Sequence, residues 1–164
     1  MNRVEQIVYL VNERPGIRYS EIMRETGLKN GVLSHHLSKI EQAGRIIIER
    51  TPRVARLYPC GMPQQESIII KNLRSPTAQK ILSTLLEKDL KFKELVSRTK
   101  KSQGTVSLCL KVLCEEGIVH RKLENSISVF QLTNKPLLDS LIEKHRLSFI
   151  ENSANNISDI FSSL

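Results

Sequence analysis

The sequence predicts a mainly α chain with small β-hairpin wings, built as two copies of one helix–helix–helix–hairpin unit and closed by a C-terminal helix. Three observations predict it. In GLKNGVLSHHLSKIEQAGRIIIER, residues 27–50, the apolar Leu33, Leu37 and Ile40 fall at i, i+4 and i+7, the spacing of one buried helical face. A short β-branched run follows that helix directly, after Gly44. The pattern then returns at an offset of 73 residues, where NGVLSHHLSKIEQAG at 30–44 lies over QGTVSLCLKVLCEEG at 103–117.

Taken in order, Arg3 to Glu13 places Val4, Ile7, Val8, Leu10 and Val11 as an amphipathic helix, stopped by Arg14-Pro15-Gly16. A short second helix is expected from Ser20, read as its N-cap, to the break at Gly27. The third helix buries Leu33, Leu37 and Ile40 and leaves Asn30, Ser34, His35, Ser38 and Lys39 outward. Gly44 stands where a helix end needs the left-handed conformation. Arg45–Arg50 and Val54–Tyr58 flank Thr51-Pro52-Arg53 as a hairpin. Three helices and a hairpin in this order make a winged helix-turn-helix domain, whose third helix is suited to the major groove.

Pro59 to Pro63 reads as a linker, and Gln64–Leu73 as a helix, although Ile68-Ile69-Ile70 would also suit a buried strand. In the second copy Gly31, Ser34, Leu37 and Gly44 meet Gly104, Ser107, Leu110 and Gly117. Glu21 and Thr26 meet Glu94 and Thr99, and Ile22, Leu33, Ile40 and Leu57 meet Leu95, Val106, Leu113 and Phe130. Ser75-Pro76 is expected to cap the first helix of this copy, with proline in the tolerated first turn. Its wing is expected over Ile118–Leu123 and Ile127–Leu132, with Glu124-Asn125 at the tip. The expected domains are therefore 1–62, 63–134 and a C-terminal helix over 135–164. In that tail Leu138, Leu141, Ile142, His145, Phe149, Ile150, Ile157, Ile160 and Phe161 form a stripe with no partner evident in the chain, which suits dimerisation.

Charge narrows the partner. Lys and Arg number 25 against 17 Asp and Glu, a net +8 that favours a polyanion. The excess is +4 over residues 1–62, +5 over 63–134 and −1 over 135–164, so it is confined to the two repeats. No long apolar run or secretory leader pattern is present, and the chain reads as a soluble cytoplasmic, nucleoid-associated protein. Cys60, Cys109 and Cys114 are odd in number and lack C-x-x-C spacing, so neither a disulfide framework nor a metal site is expected, nor any cofactor. Gly-rich phosphate loops, H-E-x-x-H and G-x-S-x-G are missing, which argues against an enzyme.

SHHLSKIEQAG resembles the recognition-helix signature of ArsR-type winged-helix repressors, and the second copy resembles the looser MarR-like version of the fold. The similarity spans roughly residues 4–58 and 77–132. Two such domains in one chain also resemble the tandem regulators common in archaea. The resemblance implies a transcription regulator on double-stranded promoter DNA. It implies that Asn30, Ser34 and His35 face base edges, that Lys29 and Lys39 reach phosphates, and that the wing arginines Arg50, Arg53 and Arg56 follow the minor groove or backbone. By the repeat, Ser102, Gln103, Thr105, Ser107 and Lys111 serve in the second copy, with Arg121 and Lys122 on its wing. Metal sensing is not implied, because the helix before the first recognition helix, Ser20-Glu21-Ile22-Met23-Arg24-Glu25-Thr26, has none of the cysteines that metal-sensing members carry there.

Rival functions remain open at this level. A protein-interaction adaptor built on winged helices would suit the more apolar second helix, with Leu108, Cys109 and Val112. RNA binding ranks last, since aromatic residues make up 4% of the chain and do not cluster into stacking platforms.

Overall fold

The computed structural model describes the backbone of residues 1–162 and the side chains of residues 1–149. The chain divides into two compact units, Met1–Ser67 and Ile68–Leu164.

In the first unit, α1 spans Arg3–Glu13, β1 Ile17–Arg18, α2 Tyr19–Thr26, α3 Asn30–Gln42, β2 Ile46–Arg50 and β3 Ala55–Pro59. Asn2 caps α1, its Oδ1 accepting from the Glu5 amide at 2.8 Å. The sheet runs β1-β3-β2, all antiparallel, with Ile17 opposite Leu57 and Ile46 opposite Pro59. One core joins Ile7 and Val11 of α1, Ile17, Ile22, the predicted Leu33, Leu37 and Ile40 of α3, and Ile46 and Leu57 of the sheet. That burial fixes which side of α3 faces solvent.

Three local expectations are corrected. Strand β1 was not foreseen, because two residues carry no periodicity of their own. Ser20 is not the cap of α2. The helix starts at Tyr19 with Arg18 in the N-cap place and no side-chain cap bond, and the Arg18 side chain pairs with Glu21, Nε donating to the buried carboxylate at 2.6 Å. Pro59 closes β3 rather than opening a linker.

The second unit takes up within α4, Gln64–Leu73, which is helical as read. It continues with α5 Pro76–Glu87, α6 Phe92–Thr99, α7 Gln103–Glu115, β4 Val119–Glu124, β5 Ile127–Leu132 and α8 Lys135–Ser162. Ser75 stands at the N-cap of α5 without a side-chain cap bond, and Pro76 occupies the first turn. Helices α2 and α6, and α3 and α7, coincide end for end at the 73-residue offset. So do small bonds: the Thr26 hydroxyl donates to the Ile22 carbonyl and the Thr99 hydroxyl to that of Leu95, each at 2.7 Å. The ends of α3 and α7 share one Schellman-type closure, the Arg45 amide returning to the Ile40 carbonyl at 3.1 Å and the Ile118 amide to that of Leu113 at 3.0 Å, past Gly44 and Gly117 at φ 71° and 76°. The pairing of Ile17 with Leu57 is repeated as a bridge between Leu90 and Phe130. The wing tip lies one residue beyond its expected place. Glu124 still pairs with Ile127, and the turn is Asn125-Ser126, both with positive φ as a two-residue type I′ hairpin requires.

The tail is the larger correction. The first half of its stripe has a partner within the second unit. Leu138, Leu141, His145, Ser148 and Phe149 are buried, α8 packs beside α5, and Arg74 donates to Ser148 Oγ at 2.6 Å with its guanidinium 5.5 Å over the Phe149 ring. Side chains of the rest of the stripe, Ile150, Ile157, Ile160 and Phe161, lie outside the described residues.

His145 makes this packing sensitive to acid. It is buried edge-on to Phe149, and Nε2 has no hydrogen-bond partner among the described residues. Burial first, then the charges of Lys144 and Arg74, hold its pKa below the usual value. A base with a depressed folded pKa binds its proton more readily when unfolded. Stability is therefore full above about pH 6.5 and falls as pH drops from there through the folded pKa. Thermal melts across that window should show the second unit losing stability, and His145→Leu should flatten the dependence.

Candidate nucleic-acid interface

Helix α3 presents Asn30, Ser34, His35, Ser38 and Lys39 to solvent, with Lys29 exposed immediately before its first turn. These residues share a face because Leu33, Leu37 and Ile40 are anchored in the core on the other. His36, the neighbour of His35, turns partly inward, and the two rings are 6.2 Å apart at 57°.

One member is pre-oriented by a contact that sequence reasoning missed. The Tyr19 hydroxyl lies 2.5 Å from Asn30 Oδ1 and 2.8 Å from the Asn30 carbonyl, two acceptors for its single proton. Burial pushes the Tyr19 pKa up. The amide is thereby turned with its Nδ2 hydrogens unpaired among the described residues, and a bidentate adenine contact must use the second lone pair of Oδ1. The only local hint was that the repeat places Phe92, without a hydroxyl, at the position of Tyr19.

The three wing arginines have different surroundings. Arg50 makes two parallel bonds to Glu41 of α3, at 2.9 and 2.8 Å, and the pair lowers the Glu41 pKa and raises that of Arg50. Arg53 sits exposed at the tip with no ion pair among the described residues, on a turn closed by Thr51 and Val54. Arg56 is half-buried and donates to the Gly16 carbonyl at 2.9 Å, and burial lowers its pKa. Its guanidinium ties β3 to the loop after α1 and is not displayed at the wing tip.

On α7, Gln103, Thr105, Ser107 and Lys111 are exposed, as is Arg121 on β4. Ser102 caps the helix, its Oγ accepting from the Thr105 amide at 3.2 Å while its hydroxyl reaches Thr105 Oγ1 at 2.8 Å. Lys122 is engaged by Glu124 at 3.0 Å and by Asp89 at 3.3 Å, which raises its pKa. Ser107, Lys111 and Arg121 line one cleft of about 860 Å³ between α7 and the hairpin. Where the first unit has the cross-link Glu41–Arg50, the second has Cys114 and Leu123.

Among the described residues no group of three His, Cys, Asp or Glu side chains is placed to hold a metal ion. Burial pushes the Cys109 and Cys114 thiols up, away from the reactive thiolate, with Arg121 partly opposing this at Cys114. No described helix is long and apolar enough to cross a membrane.

A family model described as "Bacterial regulatory protein, arsR family" matches residues 3–47 and again 75–121, more than half of the chain and both recognition-type helices. The chain belongs to the arsR family. Two matches in succession make it a tandem arsR-family protein, in a family of DNA-binding transcription regulators rather than enzymes. No curated protein matches it. Among solved structures it is similar to HlyU from Vibrio cholerae, 26% identical over 52% of this chain and 97% of that one, with a TM-score of 0.44. The transcriptional repressor BigR from Xylella fastidiosa is 25% identical over 48% and 81%, with a TM-score of 0.43. A homodimeric winged helix-turn-helix DNA-binding domain from Mycobacterium bovis is 16% identical over 54% and 88%, with a TM-score of 0.45.

Proposed function

We propose that this arsR-family regulator recognises promoter DNA with two reading heads carried on one chain. The observation that carries the reading is the 73-residue register, which sets the solvent faces of α3 and α7, each bearing exposed hydrogen-bonding and cationic side chains, in equivalent places on the two basic segments. In the first head, covering residues 1–62, Asn30, Ser34 and His35 meet base edges while Lys29 and Lys39 hold phosphates. In the second, 63–134, Gln103, Thr105, Ser107 and Lys111 serve, with Arg121 on the backbone. Phosphate neutralisation supplies salt-sensitive affinity, and base contacts supply choice. Arg50 exchanges Glu41 for a phosphate on binding. Arg56, Ser102 and Lys122 act mainly by holding sheet, helix start and wing in place. The C-terminal helix, residues 135–164, joins two chains, and the protein works at the nucleoid.

Selection of bound sites from random duplexes tests this. Enrichment of a motif with two separated blocks, bound with steep salt dependence, is the expected result. Binding without sequence enrichment or salt dependence would refute it. Arg53→Ala should weaken binding to all duplexes alike and lower the salt slope by about 1, as loss of one phosphate contact does. Loss confined to one base pair would contradict that role.

A second reading, an interaction adaptor, is favoured by the exposure of Leu108 and Leu123, at 70% and 73%. Salt-dependent duplex binding by the intact chain separates the two.

A further inference from the structure

At three equivalent places the two heads differ in kind. His35, Lys39 and Arg50 of the first correspond to Leu108, Val112 and Leu123 of the second. Leu108 lies opposite the buried Val106, Leu110 and Leu113, at the centre of the outward face of α7, and Val112 follows one turn later. Neither is used by the fold: Leu108 is 70% exposed and Val112 45%. One turn before Leu108 stands Gly104, where an added Cβ would meet nothing within 4 Å. A helical glycine that the chain does not need costs stability, and it leaves the backbone open to close approach from outside.

The frame around this apolar centre indicates what approaches. Lys100 and Lys101 precede the helix, Gln103, Thr105, Ser107 and Lys111 stand on it, and Arg121 is on the adjoining strand, with Glu115 the acid of the last turn on this face. Lysine is depleted from protein–protein interfaces, whereas it is the ordinary partner of phosphate. On a duplex, the apolar feature of the major-groove edge is the C5-methyl group of thymine.

We infer that α7 reads thymine through its methyl group, Leu108 and Val112 packing against it while the surrounding cations hold the backbone. The inference rests on the reading of α7 as a DNA-contacting helix. It divides the work between the heads: α3 chooses by hydrogen bonds, α7 by apolar contact.

The test uses the full-length chain and a duplex obtained by the selection above, with thymidine replaced by deoxyuridine one position at a time. This removes one methyl group and leaves every hydrogen-bonding edge intact. At one or two positions affinity should fall about three- to fivefold, the effect of one buried methyl. The double variant Leu108→Ala, Val112→Ala should no longer distinguish thymidine from deoxyuridine there, while His35→Ala still does. Both side chains are exposed, so the variant keeps the fold. Indifference of the wild type to deoxyuridine throughout a tightly bound site would overturn the inference and leave the DNA-binding reading standing. Absence of any salt-dependent duplex binding would overturn both. If the double variant changes the oligomeric state by light scattering and keeps the methyl discrimination, the face is a protein contact and the inference falls.

Discussion

Changing Asn30, Ser34 and His35 together to alanine should lower affinity for a selected site by at least about a hundredfold, since well-made base contacts are worth roughly 1–3 kcal/mol each. The loss should fall on one block of the motif, with non-specific, salt-dependent binding retained. The physical reason lies in the division of the helix. All three side chains are exposed, and none belongs to the core that fixes α3, so the variant should melt like the parent. Removing Asn30 also leaves the Tyr19 hydroxyl with the Asn30-position carbonyl, which remains as an acceptor, so no buried donor is stranded. Site selection and melting curves on the same preparation check both halves. An unchanged motif in a folded triple variant would remove α3 from the reading surface.

Ending the chain after Thr133 should cost the second unit about 5–9 kcal/mol, because Leu138, Leu141 and Phe149 would no longer cover its core and each such burial is worth roughly 1.5–3 kcal/mol. Arg74 would in addition lose both Ser148 and the Phe149 ring. Urea melts and limited proteolysis should show residues 68–133 unfolding well before the first unit. A chain ended after Phe149 should keep the second unit intact. Loss of self-association in that longer chain would then be assigned to the segment beyond it, without the confusion that a cut near Pro136 would bring. Equal stability of the two shortened chains would contradict the packing of α8.

What could be read from the sequence was what depends on neighbours a few residues apart. The i, i+4, i+7 spacing of Leu33, Leu37 and Ile40 placed α3 and its inner face, and the glycines at 44 and 117 placed its end and that of α7. The repeat extended this to the second unit. What could not be read depends on pairs that only folding brings together. Tyr19 reaches Asn30 across the turn, Glu41 of α3 grips Arg50 of the wing, and Arg56 spans 40 residues to the Gly16 carbonyl. Each takes a residue that looks like a free polar group in one dimension and assigns it an internal partner. Ser20 failed as a cap because the helix begins one residue before it, with Arg18 in the cap place and its side chain paired to Glu21. The tail was misjudged because Arg74, lying before α5, gave no sign of belonging to a helix that starts some sixty residues later.

The equal length of α3 and α7, 13 residues each with the same extended backbone at the entry and the same closing turn, has a consequence for how such a chain can change over time. Nothing in a loop has to be refitted when an outward residue is replaced, so the two faces are free to drift apart while the inner positions are held. A substitution at His35 or Leu108 alters what is read; one at Leu37 or Leu110 alters whether a reader folds at all.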